Sequence, residues 1–171
     1  MLVVSSGIQD GYFADEYGKR GTEQNVNGMP TRSIPFSISD APVETKSFAI
    51  VLEDKDAYPV SGGFVWIHWL AANIKRMDVA AGESQTATDF VQGVNSWTSI
   101  QGGQQSAELS TFYGGMCPPD APHLYELQVY ALDCVLDLEN GFLLNELFHA
   151  MDGHILEHAT LKALYSHEEG E

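Results

Sequence analysis

Residues 47–74 read SFAIVLEDKDAYPVSGGFVWIHWLAANI, two apolar runs joined by a short loop rich in acids, proline and glycine. The first run, 48–52, holds the β-branched pair Ile50 and Val51. It stops at Glu53, Asp54 and Asp56, and aspartates favour turns by bonding nearby backbone. The second run, 64–74, is apolar on both faces, the pattern of a central strand covered on both sides. Strict alternation places Phe64, Trp66, His68 and Leu70 on one face, with Val65, Ile67 and Trp69 on the other. His68 is the ionisable exception in that run, so the search for function starts there.

A second stretch answers the first. Pro118-Pro119-Asp120-Ala121-Pro122 is a rigid lead into residues 123–132, where His123, Tyr125, Leu127 and Val129 share a face. Each half of the chain thus carries an apolar strand with one histidine near an aromatic residue, behind a loop fixed by proline and glycine. Side by side, the two strands would gather two imidazoles, a phenol and the Asp54/Asp56 loop around one small concavity. A lone histidine on an apolar face is more often a hydrogen-bonded core residue; two, each on such a strand, reverse that preference.

The rest of the chain reads more coarsely. Residues 2–5 form a short strand and 9–32 a long polar loop. Residues 33–39, with Ile34, Phe36 and Ile38 in alternation, form a strand with Pro35 at an edge position. Residues 75–105 are an irregular, glycine-rich excursion with Trp97 as an anchor. Leu143, Leu144, Leu147, Phe148 and Met151 fall at helical spacing, capped by Asn140 and ended at Asp152-Gly153. Residues 159–165 alternate as a final strand. The expectation is a single mostly-β domain spanning 1–171 with a C-terminal helix.

Composition excludes several functions. The 171 residues carry a formal net charge of −16, which repels nucleic-acid backbones and anionic lipid surfaces. No apolar run approaches the length of a membrane span, and residues 1–5 lack the features of a signal peptide. Two cysteines, Cys117 and Cys134, make no disulfide framework, so reduced thiols and a cytoplasmic location are expected.

Taken in order, Asp54-x-Asp56-Ala57, Trp66-x-His68-Trp69, Tyr113-Gly114-Gly115-x-Cys117-Pro118-Pro119, His123-x-Tyr125 and Val129-Tyr130-Ala131-Leu132-Asp133 resemble the phosphatidylethanolamine-binding protein family. They are most similar to its bacterial, Raf kinase inhibitor-like branch, over residues 48–165, with the earlier residues only loosely matched. The resemblance implies a large central antiparallel sheet packed on a smaller sheet, with a C-terminal helix. It also implies a small pocket for phosphate- or carboxylate-bearing ligands such as phospholipid head groups. The ligand-binding residues expected are Asp54, Asp56, Trp66, His68, Gly115, Cys117, Pro118, His123 and Tyr125. Both histidines would donate hydrogen bonds to a ligand oxygen, partly as cations. Asp54 would orient one imidazole, and Asp56 would bond amides of its own loop. Amides near Gly115 would face the anion, and Cys117 would be an inert thiol beside it.

The sequence departs from the family at Lys55 and Tyr58, where prolines are usual, and at Leu124, where an arginine is common. Tyr58 would then fill or narrow the pocket mouth. No nucleophile with an adjacent base is legible, so binding rather than turnover is expected, with no cofactor and no metal. Two alternatives stand beside it. One is a regulator docking on a kinase or peptidase through residues 75–105. The other is a metal-dependent hydrolase using His68/His123 or the H-x-x-E-H run His154-Ile155-Leu156-Glu157-His158, although only 13 residues follow it. A homodimer is also left open.

Overall fold

The structure, a computed structural model, describes residues 1–168. Ten strands run in chain order: β1 (Leu2–Val4), β2 (Ile8–Gln9), β3 (Tyr12–Phe13), β4 (Phe36–Ser39), β5 (Ser47–Asp54), β6 (Trp66–Ile74), β7 (Asp78–Val79), β8 (Val91–Gln92), β9 (His123–Leu132) and β10 (Ile155–Tyr165). Helices are short: α1 (Tyr58–Ser61), α2 (Ala107–Ser110) and α3 (Leu144–Met151). A seven-stranded sheet runs β2-β3-β10-β9-β5-β6-β8, and a three-stranded sheet runs β1-β4-β7. Every pairing is antiparallel except that of β3 with β10. The architecture is therefore the mostly-β one expected, a large sheet against a smaller one with a C-terminal helix.

The long strands sort their side chains between two cores. Phe48, Ile50 and Leu52 of β5 join Tyr125, Leu127 and Val129 of β9 beneath the small sheet's Val3, Phe36, Ile38 and Val79. Ala49 and Val51 turn the other way, to Leu147 and Met151 of α3 and to Phe142. Burial on both faces explains why residues 48–52 and 64–74 are mostly apolar on both faces.

Several local expectations are corrected. The segment 9–32 includes β3, and β2 reaches into it, because Asp10 and Gly11, at φ 50° and 85°, close a tight hairpin between them. The Asp-Gly pair was the available signal. β4 begins only after Pro35 and lies in the middle of its sheet, where a proline would remove a ladder hydrogen bond. Asn140 does not cap α3; its side chain accepts from the Gln92 amide at 2.9 Å. Leu143 stands at the cap, its amide held by Glu146 at 2.7 Å. β10 starts at Ile155 rather than 159, because its first half is mostly exposed and leaves little hydrophobic alternation to read.

Candidate functional site

The site lies where three strands of the large sheet meet. Asp54, the last residue of β5, pairs with Trp66, the first of β6, and with Tyr125 of β9. The two histidine strands are thus not side by side: β5 runs between them and contributes Asp54 from the middle. Loops from 55–65 and 111–122 close around this end and leave a cavity of about 320 Å³. Its lining includes Asp54, Trp66, His68, Cys117, His123 and Tyr125, together with Ala57, Val60, Ser61, Trp97, Gln101 and Pro119.

A bulge aims His68. The β5–β6 register passes from Leu52↔Trp69 to Glu53↔Ile67, leaving His68 as the extra residue. Ile67 and Leu70 face the core under α3, whereas Trp69 and Ala71 face the core between the sheets. His68 lies against Tyr125, ring centroids 5.1 Å apart, on the same side as Trp69. Strict alternation had put Trp69 on the opposite face and Leu70 beside His68; the bulge reverses the phase. On β9 no bulge intervenes, and Tyr125, Leu127 and Val129 share a core as the alternation predicts.

The two imidazoles are held differently. His68 Nδ1 donates to the Gly114 carbonyl at 2.6 Å, so Nε2 is the acceptor of the neutral ring. Burial pushes the His68 pKa below its ordinary 6.5, and Asp54 only partly opposes this. His68 is therefore neutral at pH 7 and accepts, which corrects the expectation that both histidines donate. His123 donates from Nδ1 to Asp54 Oδ2 at 2.8 Å and from Nε2 to Asp120 Oδ1 at 2.9 Å. Burial disfavours its cation, but the hydrogen bonds and charges of the two carboxylates outweigh that and raise the pKa above 6.5. Asp120 is in turn lowered, chiefly by the hydrogen bond from His123. Asp54 Oδ1 also accepts from the Ala57 amide at 3.0 Å, which fixes the carboxylate that orients the ring.

Between the imidazoles stands Tyr125, 0% exposed, whose hydroxyl meets no acceptor with full hydrogen-bond geometry among the described residues, the Asp54 carboxylate being the acceptor nearby. Burial first, and the nearby Asp54 charge second, push its pKa well above 10, so it remains a donor. The indole N–H groups of Trp66 and Trp97 are also buried without partners, their rings crossed edge to face at 5.8 Å. Buried donors without partners are uncommon, and these three all belong to residues that line the cavity.

Other expected residues do not line the cavity. Asp56 accepts from the Leu124 amide at 2.9 Å, pinning the start of β9 rather than its own loop. The Gly114 amide donates to the His68 carbonyl and that of Gly115 to Pro30, both at 2.8 Å, so no amide nest faces the cavity. Glycine is required at 115, since a Cβ there would sit 2.5 Å from Pro30 Cβ and 2.8 Å from the Tyr17 carbonyl. Pro118 is buried, its carbonyl held by Lys19 Nζ at 2.6 Å, and Pro119 supplies the wall instead. Tyr58 is 55% exposed and does not narrow the mouth; Val60 and Ser61 of the same helix line it. Lys55 turns away to Glu126 at 2.9 Å. Residues 75–105, expected as a partner surface, send Trp97 and Gln101 into the cavity wall. The sequence marks Trp97 as an anchor and Pro119 as part of a rigid lead, but no local pattern marks Gln101 or the Asp120 contact.

The H-x-x-E-H run is dispersed. Glu157 and His158 lie on β10 whereas His154 sits in the turn before it, and each has a different partner. His158 bonds Gln128 at 2.7 Å and stacks on Tyr130 at 4.6 Å, while Glu157 pairs with the Met1 amino group. His154, exposed, bonds the half-buried Asp133 at 2.8 Å, and with the half-buried Cys134 their ligand atoms lie within 4.8 Å of one another, beyond the far end of β9. A larger depression of about 580 Å³, beside Pro35, Phe36 and Asp78, has no histidine in its lining.

The opposed shifts give a first test. In an NMR titration of the ring nitrogens, His123 should titrate above 6.5 and His68 below it. The sign for stability follows by linkage. The His123 contribution is complete below 6.5 and lost as pH rises through its raised value. The His68 contribution is complete above 6.5 and lost as pH falls through its lowered value. A single shared value near 6.5 would contradict the two environments.

Comparison with known proteins agrees with this architecture. A family model described as phosphatidylethanolamine-binding protein matches residues 4–166. The YxkA protein of Bacillus subtilis is 40% identical over 157 residues, which cover 90% of this chain and 93% of YxkA. A phosphatidylethanolamine-binding protein homologue of Chlamydia trachomatis, CT736, superposes with a TM-score of 0.74 at 32% identity, covering 98% of this chain and 96% of its own. Escherichia coli YbcL shares the fold, with a TM-score of 0.72 at 23% identity over 96% of each chain.

Proposed function

Because the chain belongs to the phosphatidylethanolamine-binding protein family, we propose that it is a binding protein whose cavity takes a phosphate- or carboxylate-bearing group. The observation that carries this reading is the Tyr125 hydroxyl, fully buried, unpartnered and held between His68 and His123 at the cavity wall. An unpaired buried donor costs about 1–3 kcal/mol, which a ligand oxygen recovers. Asp54 keeps His123 charged and oriented, and His68 supplies an acceptor for a ligand hydroxyl or protonated phosphate oxygen.

Binding without turnover fits the same geometry. Ser61 Oγ donates to the Phe64 carbonyl at 2.6 Å and accepts from the Phe64 amide at 3.0 Å, so it is not poised on a base. The Cys117 residue is exposed, yet desolvation by its surroundings raises the thiol pKa and keeps it protonated. Neither is an activated nucleophile.

The test is a thermal-shift and calorimetric screen of phosphate, phosphoethanolamine and acetate on wild type and on His68→Ala/His123→Ala. Wild type should be stabilised by the phosphate compounds and the double variant should not. No response of wild type to any anion would overturn the reading. Tyr125→Phe sharpens it. That change should weaken phosphate binding about ten-fold while raising the stability of the ligand-free protein by about 1–3 kcal/mol, because it removes an unpaired buried hydroxyl. A large stability loss with unchanged affinity would assign the hydroxyl to the core instead.

A further inference from the structure

We propose that Asp133, Cys134 and His154 form a binding site for a divalent ion of the zinc, cobalt or nickel class, held by a carboxylate, a thiolate and an imidazole. The anion cavity lies at the start of β9 and this trio just past its other end. The ten-residue strand between them spans roughly 30 Å, so the inference is independent of the anion-binding reading.

The three residues meet where β9, β10 and the end of α3 converge. Ile155, the first residue of β10, pairs with Leu132, the last of β9. The ladder extends one step further, as the Asp133 amide donates to the His154 carbonyl at 3.1 Å. The His154 amide donates in turn to the Met151 carbonyl of α3 at 2.9 Å. The Cys134 carbonyl accepts from the hydroxyl of buried Ser47 at 2.6 Å, and the Lys46 amide holds the Leu132 carbonyl at 2.8 Å. Hydrogen bonds that ion binding does not break thus fix the backbone at every ligand. Only side-chain rotation remains to be ordered, which keeps the entropic cost of binding low.

One ligand atom from each residue lies within 4.8 Å of the other two. Asp133 stands between its neighbours, bonded to His154 at 2.8 Å and within reach of the Cys134 thiol. Metal bonds of about 2.0 Å to nitrogen or oxygen and about 2.3 Å to sulfur put ligands on a tetrahedral ion roughly 3.3–3.6 Å apart. The triangle therefore closes on an ion by small side-chain turns, with His154 and Asp133 parting slightly. Cys134 packs at the edge of the core under α3, whereas the His154 and Asp133 side chains are 47% and 44% exposed. An ion can thus enter from solvent and keep a water in the fourth position. The donor set selects the ion: sulfur and nitrogen favour zinc and its neighbours, while calcium and magnesium take oxygen shells. On binding, the Cys134 thiol becomes a thiolate and its proton passes to solvent. The net charge of −16 raises the concentration of cations around the chain. Once seated, the ion would tie the end of β9 to the turn that opens β10.

The experiment is isothermal titration of the untagged, metal-free full chain with zinc chloride, for wild type, Cys134→Ala, His154→Ala and Asp133→Asn. Cys117→Ala, His158→Ala and His68→Ala/His123→Ala serve as controls, since they remove the other thiol and histidines that could hold zinc. Wild type and the controls should bind one zinc per chain. Cys134→Ala and His154→Ala should bind it at least about 100-fold more weakly, because losing a ligand exceeds the 10–100-fold that outer partners of a metal contribute. Cobalt(II) should give wild type a thiolate charge-transfer absorption that Cys134→Ala lacks. Alkylation mapped by mass spectrometry makes the same test on the unaltered chain: zinc should protect Cys134 and leave Cys117 open to reagent. No zinc binding by wild type would overturn the inference. Binding unchanged in both Cys134→Ala and His154→Ala, or lost in a control instead, would overturn it as well. Zinc that binds without protecting Cys134 would do the same. Anion affinity should be unaltered by zinc, so failure here leaves the cavity reading intact.

Discussion

Replacing Asp54 by alanine is expected to lower stability by about 3–5 kcal/mol and to abolish anion binding. The carboxylate is buried, and it serves His123 Nδ1 and the Ala57 amide at once. Its removal leaves a buried imidazolium without its inner counter-ion and a buried N–H without an acceptor, and breaking such a pair from one side is the costly way to break it. For a chain of this size the loss corresponds to roughly 10 °C in the melting temperature. The pH dependence separates the ion pair from simple packing. The His123 pKa is raised, so the contribution of the pair is complete below 6.5 and lost as pH rises through the raised value. The gap between wild type and Asp54→Ala should therefore narrow from pH 6 to pH 9 in denaturant melts. A gap constant across that range would show that the carboxylate acts through shape and the Ala57 hydrogen bond alone. Asp54→Asn, which preserves shape and an acceptor for the Ala57 amide, should recover part of the stability but not the raised His123 pKa.

Trp69→Ala should cost about 3–5 kcal/mol by cavity formation, and it should damage the site although Trp69 does not line it. The ring is 0% exposed and meets Phe36 at 6.1 Å and Tyr113 at 5.7 Å, both edge to face. Its indole N–H donates to Gln92 Oε1 at 2.8 Å. Gln92 is bonded to Ser84, and Ser84 Oγ accepts from the Tyr113 amide at 2.8 Å. Tyr113 immediately precedes Gly114, whose carbonyl fixes His68. Trp69 thus backs the bulge from one side and, through Gln92 and Ser84, steadies the loop that holds His68 from the other. Urea denaturation should show the loss, and calorimetry should show anion affinity falling more than in Trp69→Phe, which keeps most of the ring contacts. Equal affinity in Trp69→Ala and wild type would mean that the bulge is held by β5 alone.

Much of this arrangement was readable from the chain. The apolar runs at 48–52 and 64–74 announced strands covered on two faces, because period-two burial on both sides leaves no polar alternation. His68, His123 and Tyr125 stood out as polar groups in apolar strands, and they line one cavity. Asp54 was legible as a carboxylate ending a strand. Residues whose role depends on backbone commitments were misread. Gly115 was assigned a free amide that in fact donates to Pro30, and Asp56 was assigned to its own loop rather than to Leu124.

The residue pattern by itself determined the strands, the burial of their faces and the identity of the polar exceptions, since each follows from local periodicity and turn chemistry. Tertiary structure alone decided who meets whom. β5 came to lie between the two histidine strands because pairing order is a long-range choice with no local signature. The bulge put His68 and Trp69 on one side because an unpaired residue in the register leaves no mark on composition. The histidines acquired opposite protonation behaviour because His68 met a carbonyl and His123 met two carboxylates, one of them from a loop residue three positions away. Two imidazoles of the same intrinsic pKa were shifted in opposite directions by their neighbours, and those neighbours are set by the fold.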